Sequence, residues 1–272
     1  MRLLIPYCLI FTLLSLLPSC GGDAVSDAGR PLAEVVRQMT PNATLEGVEP
    51  RITAAMTRSF LRKDAGPLEK LREEIVSVQG EEYGHLVTYW ASFVDFQLAV
   101  FSDAHEDTSG SEVAVNRGIA TLEAIKGKNV EELNLLAFLQ GFSTQFVSAA
   151  EQVKISKQAK ANLSASMKLN PDNLRTQYVA GCLDFYIPQE YGGQKVAKIH
   201  LNKATTLPAN VIDSPYLPTW GKAEAYELLV RYYAARGEVD IARKTLNEGL
   251  ALYPDDHQLS QLVSENGYSS SY

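Results

Sequence analysis

From Pro31 onward the apolar residues recur with the 3.6-residue period of amphipathic helices in nearly every segment, and no segment reads convincingly as a strand. Helices without a sheet to lie on can bury their apolar stripes only against each other, so the fold class is all-α. The periodicity predicts shorter helices over 31–40, 50–63 and 66–79, the last opening on Gly66-Pro67, since proline is tolerated in a first turn. A strongly aromatic helix follows over 83–102, and the Asp, Ser and Gly residues of 103–111 break it. Further helices are expected at 112–126, 130–150, 153–169, 173–186, 193–206, 219–236, 239–252 and 256–265.

Residues 223–254 add a spacing rule to the periodicity. Tyr226, Leu229, Val230 and Tyr233 lie on one face of a first helix, Gly237 ends it, and Ala242, Leu246 and Gly249 follow on a second helix stopped by Pro254. Small residues at Ala242 and Gly249 let the two helices approach, while the larger ones fill the space between them. This pattern resembles the tetratricopeptide repeat, with Val230 where that family usually has Gly. The small-large-small arrangement of the second helix recurs at Ala159, Leu163 and Ser166 before Pro171, and at Ala197, Leu201 and Ala204 before Pro208, with Gly118 and Leu122 as a fainter copy. The best repeats are 140–171, 174–208 and 223–254, within a helical domain covering 31–272. The resemblance implies a right-handed superhelical stack of helix-turn-helix units.

The N-terminus carries an address. Arg2, the apolar run from Leu3 to Leu17 and the sequence Leu17-Pro18-Ser19-Cys20 read as an export signal, the run being shorter than the ~20 residues a spanning helix needs. An uncleaved anchor is the alternative. The segment resembles the lipobox of bacterial prolipoproteins, which implies a signal peptide over 1–19 and an acylated, palmitate-bearing Cys20 at the start of a flexible tether over 20–30. By analogy with enteric sorting, Gly21 rather than Asp after Cys20 implies the outer membrane, on its periplasmic side. Ile187-Pro188-Gln189-Glu190-Tyr191-Gly192-Gly193 and Ser214-Pro215-Tyr216-Leu217-Pro218-Thr219-Trp220-Gly221 resemble, respectively, a turn and a helix start of uncharacterised tetratricopeptide lipoproteins of Gram-negative envelopes, some of which resemble periplasmic proteins associated with TRAP transporters.

Charge and cysteine content narrow the partners. The formal net charge is −7, and loss of Arg2 with the leader takes it to −8, which argues against nucleic acid and against broad adhesion to anionic headgroups. With Cys8 in the leader and Cys20 acylated, Cys182 is the one thiol left and no internal disulfide can form.

No catalytic pattern emerges, and the expectation is a protein that is not an enzyme and takes no cofactor or metal. Ser143 lies in a helix interior, and Gly141-Phe142-Ser143-Thr144-Gln145 lacks the second Gly of a nucleophile elbow. Histidines 85, 105, 200 and 257 have no common ligand spacing, and the acidic stretch around Asp103, His105, Glu106, Asp107 and Glu112 has no EF-hand order. Gly192-Gly193 reads as a turn needing positive backbone angles; a phosphate cradle at the start of the next helix is the alternative, though Val196 after Lys195 excludes a P-loop. Tyr89, Trp90, Phe93, Phe96 and Phe101 read as core before ligand platform.

In the family's geometry the ligand lies in a groove lined by the first helices. Carried over, the lining residues are Arg175, Tyr178, Cys182 and Phe185 in one unit and Glu224, Glu227, Arg231 and Ala234 in the last. Arg175 and Arg231 suit a carboxylate, Tyr178 and Phe185 a flat apolar body. The resemblance therefore implies a lipid-anchored binding or scaffold module for protein partners; a small-molecule binding accessory of a periplasmic transport system is the competing class.

Overall fold

Side-chain caps at Asp107, Asn129, Ser148 and Asn173 mark the starts of four helices in the computed structural model, which describes residues 29–265. The signal peptide expected over 1–19, Cys20 and most of the tether expected over 20–30 lie outside the described residues. Among the described residues there are twelve α-helices and no strand. They are α1 (Leu32–Gln38), α2 (Val48–Arg62), α3 (Gly66–Val76), α4 (Gly84–Ala104), α5 (Thr108–Ala124) and α6 (Val130–Ser143). After them come α7 (Ala149–Leu169), α8 (Leu174–Phe185), α9 (Ala197–Thr206), α10 (Lys222–Ala234), α11 (Val239–Leu252) and α12 (His257–Glu265).

Each expected helix is present, and two boundaries differ for a physical reason. Asp107 accepts a hydrogen bond from the Gly110 amide and starts α5 at Thr108, so the break expected over 103–111 shrinks to a few residues. The helix expected over 130–150 stops at Ser143. There the hydroxyls of Ser143 and Thr144 donate back to the carbonyls of Gln140 and Gly141, a 3₁₀ turn follows, and Ser148 caps α7 by accepting from the Glu151 amide. The repeat expected to begin at 140 consequently has a first helix starting at Val130, where Asn129 and Glu132 form a reciprocal capping box.

The helices pack as successive neighbouring pairs, α2 with α3, α4 with α5, α6 with α7, α8 with α9 and α10 with α11, and α12 covers the end. This is the stack of helix-turn-helix repeats the spacing implies. Ala242, Leu246 and Gly249 on α11 are buried against the buried Tyr226, Leu229, Val230 and Tyr233 of α10. A β-carbon on Gly249 would stand 3.1 Å from the Tyr226 β-carbon, which shows why this position is small. Ala197, Leu201 and Ala204 repeat the arrangement in α9, all fully buried.

One segment departs from the stack. Residues 207–221, between α9 and α10, run back across the face made by the first helices as far as α2, and we call them the strap.

Candidate functional site

The strap is rich in aromatic residues and proline and has no helical period, so its position is fixed by side-chain contacts. Trp220 stacks on Phe93 of α4, with ring centroids 5.4 Å apart and an interplanar angle of 21°, and meets Phe138 of α6 and Tyr178 of α8 at 5.7 and 5.8 Å. Its indole N–H donates to the Tyr89 hydroxyl at 2.8 Å, and the Trp90 indole donates to the Tyr216 carbonyl at 3.1 Å. At α2 the Thr219 amide and hydroxyl both donate to Glu49, and the Gly47 amide donates to the Pro215 carbonyl. Both polar ends of the two tryptophans are thus satisfied inside the core, which makes the strap part of the folded body.

This placement changes the reading of the expected groove. The sequence puts Arg175 and Tyr178 on an open face of α8; in the structure Arg175 is 0 % exposed and Tyr178 5 %. The Arg175 guanidinium is held by both carboxylate oxygens of Glu131 and donates to the carbonyls of Ala209 and Trp220 on the strap. Fully buried on these partners, it is not accessible to a ligand carboxylate. Tyr178 and Cys182 are likewise buried, and burial pushes the Cys182 thiol up to about 12, leaving it an unreactive neutral group. Phe185 is partly buried against the exposed Tyr186. Arg231 is half-exposed and paired with Glu227 at 2.9 Å and Glu265 at 3.4 Å. Glu224, Glu227 and Ala234 remain partly accessible on α10.

A cleft of about 220 Å³ stays open on this face between α2, α4, the strap and α10. Its apolar surface is Phe93 and Trp220, with Ile52 and Met56 beside them, and its rim carries Glu49 and Glu224. Burial raises both carboxyls, Glu224 to about 7, where the nearby Glu49 adds to the shift; Thr219 opposes it at Glu49 and the Gly221 amide at Glu224. The Glu224 carboxylate accepts from that Gly221 amide at 2.7 Å, so it both starts α10 and faces the cleft. Two carboxylates beside an aromatic stack are chemically suited to a cation carried on an apolar stem.

Other expected features resolve into structure. Tyr89 and Trp90 are fully buried and Phe93 and Phe101 nearly so, with Phe96 partly buried. The helix start after Gly192-Gly193 is already capped, because the amides of Val196 and Ala197 both donate to the Asp184 carboxylate at 2.7 Å. A carboxylate of the chain itself therefore occupies the place that the phosphate-cradle alternative would give an anion. Gly192 does take a positive φ of 84°. Ser143 is a buried hydroxyl bonded to its own helix, and no metal-binding group of His, Cys, Asp and Glu is present among the described residues. No described helix is long and apolar enough to cross a membrane.

Sequence reasoning noticed Ser214–Gly221 as a helix start and missed that it fills the face beside it. Glu49 went unnoticed as well, being separated from Glu224 by most of the chain. Glu224 was placed by the repeat spacing alone.

Comparison with known proteins agrees with the repeat and adds little beyond it. The tetratricopeptide repeat family matches residues 223–263. No curated protein matches the chain. Among solved structures, the HusA haemophore from Porphyromonas gingivalis is similar at 18 % identity and a TM-score of 0.46, covering 69 % of this chain and 92 % of that one. A likeness at that level carries no argument about ligand. The family match thus spans the α10–α11 pair and most of α12, and the same pairing of neighbouring helices runs through the rest of the described stack.

Proposed function

We propose that this chain is a non-catalytic binding module, anchored to the cell envelope through lipid on Cys20, that grips a basic side chain of a protein partner in the cleft between Glu49 and Glu224. The observation that carries the reading is the pairing of these two carboxylates with the Phe93–Trp220 stack at the remaining opening of the repeat face. Tetratricopeptide repeats support a protein-interaction or scaffold role. Size favours a side chain over a free ligand: the cleft of about 220 Å³ falls below the ~300 Å³ at which small-molecule sites usually begin. The lipid anchor, and with it a periplasm-facing outer-membrane position, rests on the apolar run to Leu17 and on Cys20. Replacing Cys20 with Ala should move the chain from the membrane fraction to the soluble one; a protein still retained at high salt has a spanning anchor.

The cleft is tested by co-purification from detergent extract with the parent chain and with Glu49→Gln/Glu224→Gln. The parent should retain a polypeptide that salt releases and that the double variant fails to hold. Binding should strengthen as pH rises from about 6 to 8, because Glu224 ionises near 7. A partner held equally by the double variant removes the cleft from the function. A discrete small mass in native mass spectrometry, lost in the same variant, would favour the transport-accessory reading.

A further inference from the structure

We infer that the groove between α2 and α3 is a second, separate site, for a phosphate-bearing anion. The observation is a concentration of cations in a chain whose overall balance is acidic. Arg51, Arg58 and Arg62 fall at i, i+7 and i+11 on α2, a spacing that keeps them on one side of the helix. Lys70 of α3 lines the same groove, and together they surround about 550 Å³, within the range of pockets that hold small ligands.

The geometry makes room for an occupant. Ala54 lies between Arg51 and Arg58 and contributes only a methyl group, so the space beneath the guanidinium groups stays open, while Leu71 and Pro67 give that space an apolar side. Two acids share the lining, and both are engaged: Glu74 pairs with Arg51, and Asp64 accepts from the Gly66 amide at 3.0 Å. Arg58, Arg62 and Lys70 make no side-chain hydrogen bond or ion pair with the described residues. Arg51, Arg58, Arg62 and Lys70 against Asp64 and Glu74 leave the lining two charges positive (4 − 2), which attracts an anion of high charge density. Paired guanidinium forks match the tetrahedral oxygens of a phosphate better than a lone carboxylate. A phosphate on an apolar or glycerol-like stem uses the Leu71 side as well. This chemistry is shared by a free phosphomonoester and by a phospholipid headgroup.

The test uses the purified full chain in neutral detergent micelles at physiological salt. One arm titrates glycerol phosphate; the other titrates phosphatidylglycerol mixed into the micelles. Arg58→Gln and Arg62→Gln lie on exposed positions and should keep the parent melting temperature. Each should weaken binding by about tenfold, the loss of one charge-assisted contact. Lys244→Gln, on α11 outside the groove, should change nothing. Groove-dependent saturation by glycerol phosphate assigns a soluble phosphate ligand, and saturation by the lipid alone assigns a headgroup. Binding that is absent in both arms, or that Lys244→Gln weakens as much as the groove variants do, overturns the inference.

Discussion

Arg175 shows how far one residue's role depends on its surroundings. Its guanidinium joins Glu131 of α6 to the strap, and Glu131 in turn accepts from Asn173, which is linked through Asn134 to Ser166 and Thr176. This buried polar chain ties α6, α7 and α8 together. Removing Arg175 leaves Glu131 buried without its counter-charge, so Arg175→Ala should cost about 3 to 5 kcal/mol in chemical denaturation. The double variant Arg175→Met/Glu131→Gln should recover much of that loss, because the unpaired charge is gone; no recovery would mean that the hydrogen bonds to the strap dominate. Glu224 behaves oppositely. Its folded pKa, about 7, lies above the ordinary value of 4.5, so the stability it contributes is fully present below 4.5 and is lost as pH rises through 7. Glu224→Gln, which can still accept from the Gly221 amide, should therefore leave the melting temperature unchanged near pH 4 and raise it at pH 8. A variant that melts lower at both pH values would show the cap to matter more than the charge.

At the scale of the element, the helix pair α10–α11 was legible in detail because its information is local. Small residues mark where backbones approach, Gly237 and Pro254 mark the ends, and Tyr226, Leu229, Tyr233 and Leu246, which the spacing places between the helices, are buried. Ala242 is fully enclosed, so Ala242→Leu should overpack the pair and cost about 1 to 3 kcal/mol, seen as a lower melting temperature with an unchanged helical spectrum. The α6–α7 break was less legible. Ser143, Thr144 and the Ser148-to-Glu151 cap were all present in the sequence, but the apolar period runs through them and outweighed three hydroxyls. Likewise Asp107 looked like part of an acidic loop because its neighbours are acidic, whereas its geometry is that of an N-cap.

Across the whole molecule the strap couples parts that a repeat stack would leave independent. Neighbouring repeats in an open solenoid touch only each other and can melt in sequence. Here Thr219 bonds Glu49 across 170 positions of chain and Trp90 bonds Tyr216 across 126. The described domain should therefore unfold as one unit. Fluorescence of the two tryptophans, Trp90 and Trp220, should follow the same denaturation curve as the helical circular dichroism signal. Trp220→Ala should separate the two curves, since it removes the Phe93 stack and the bond to Tyr89. Curves already separate in the parent chain would show that the strap does not hold the stack together.

The sequence by itself determined the helices, their pairing and the small residues between them, because those depend on contacts a few residues apart or one turn away. The tertiary structure decided which repeat faces are accessible. Residues 207–221 have no period that announces a position, and the groups that hold them, Tyr89, Trp90, Glu49 and Arg175, belong to three different helices. Spacing put Arg175 on a face expected to be open, and only the folded chain could show it covered. The cleft between Glu49 and Glu224 has the same origin, since two carboxylates 175 positions apart become neighbours only when the strap closes the stack.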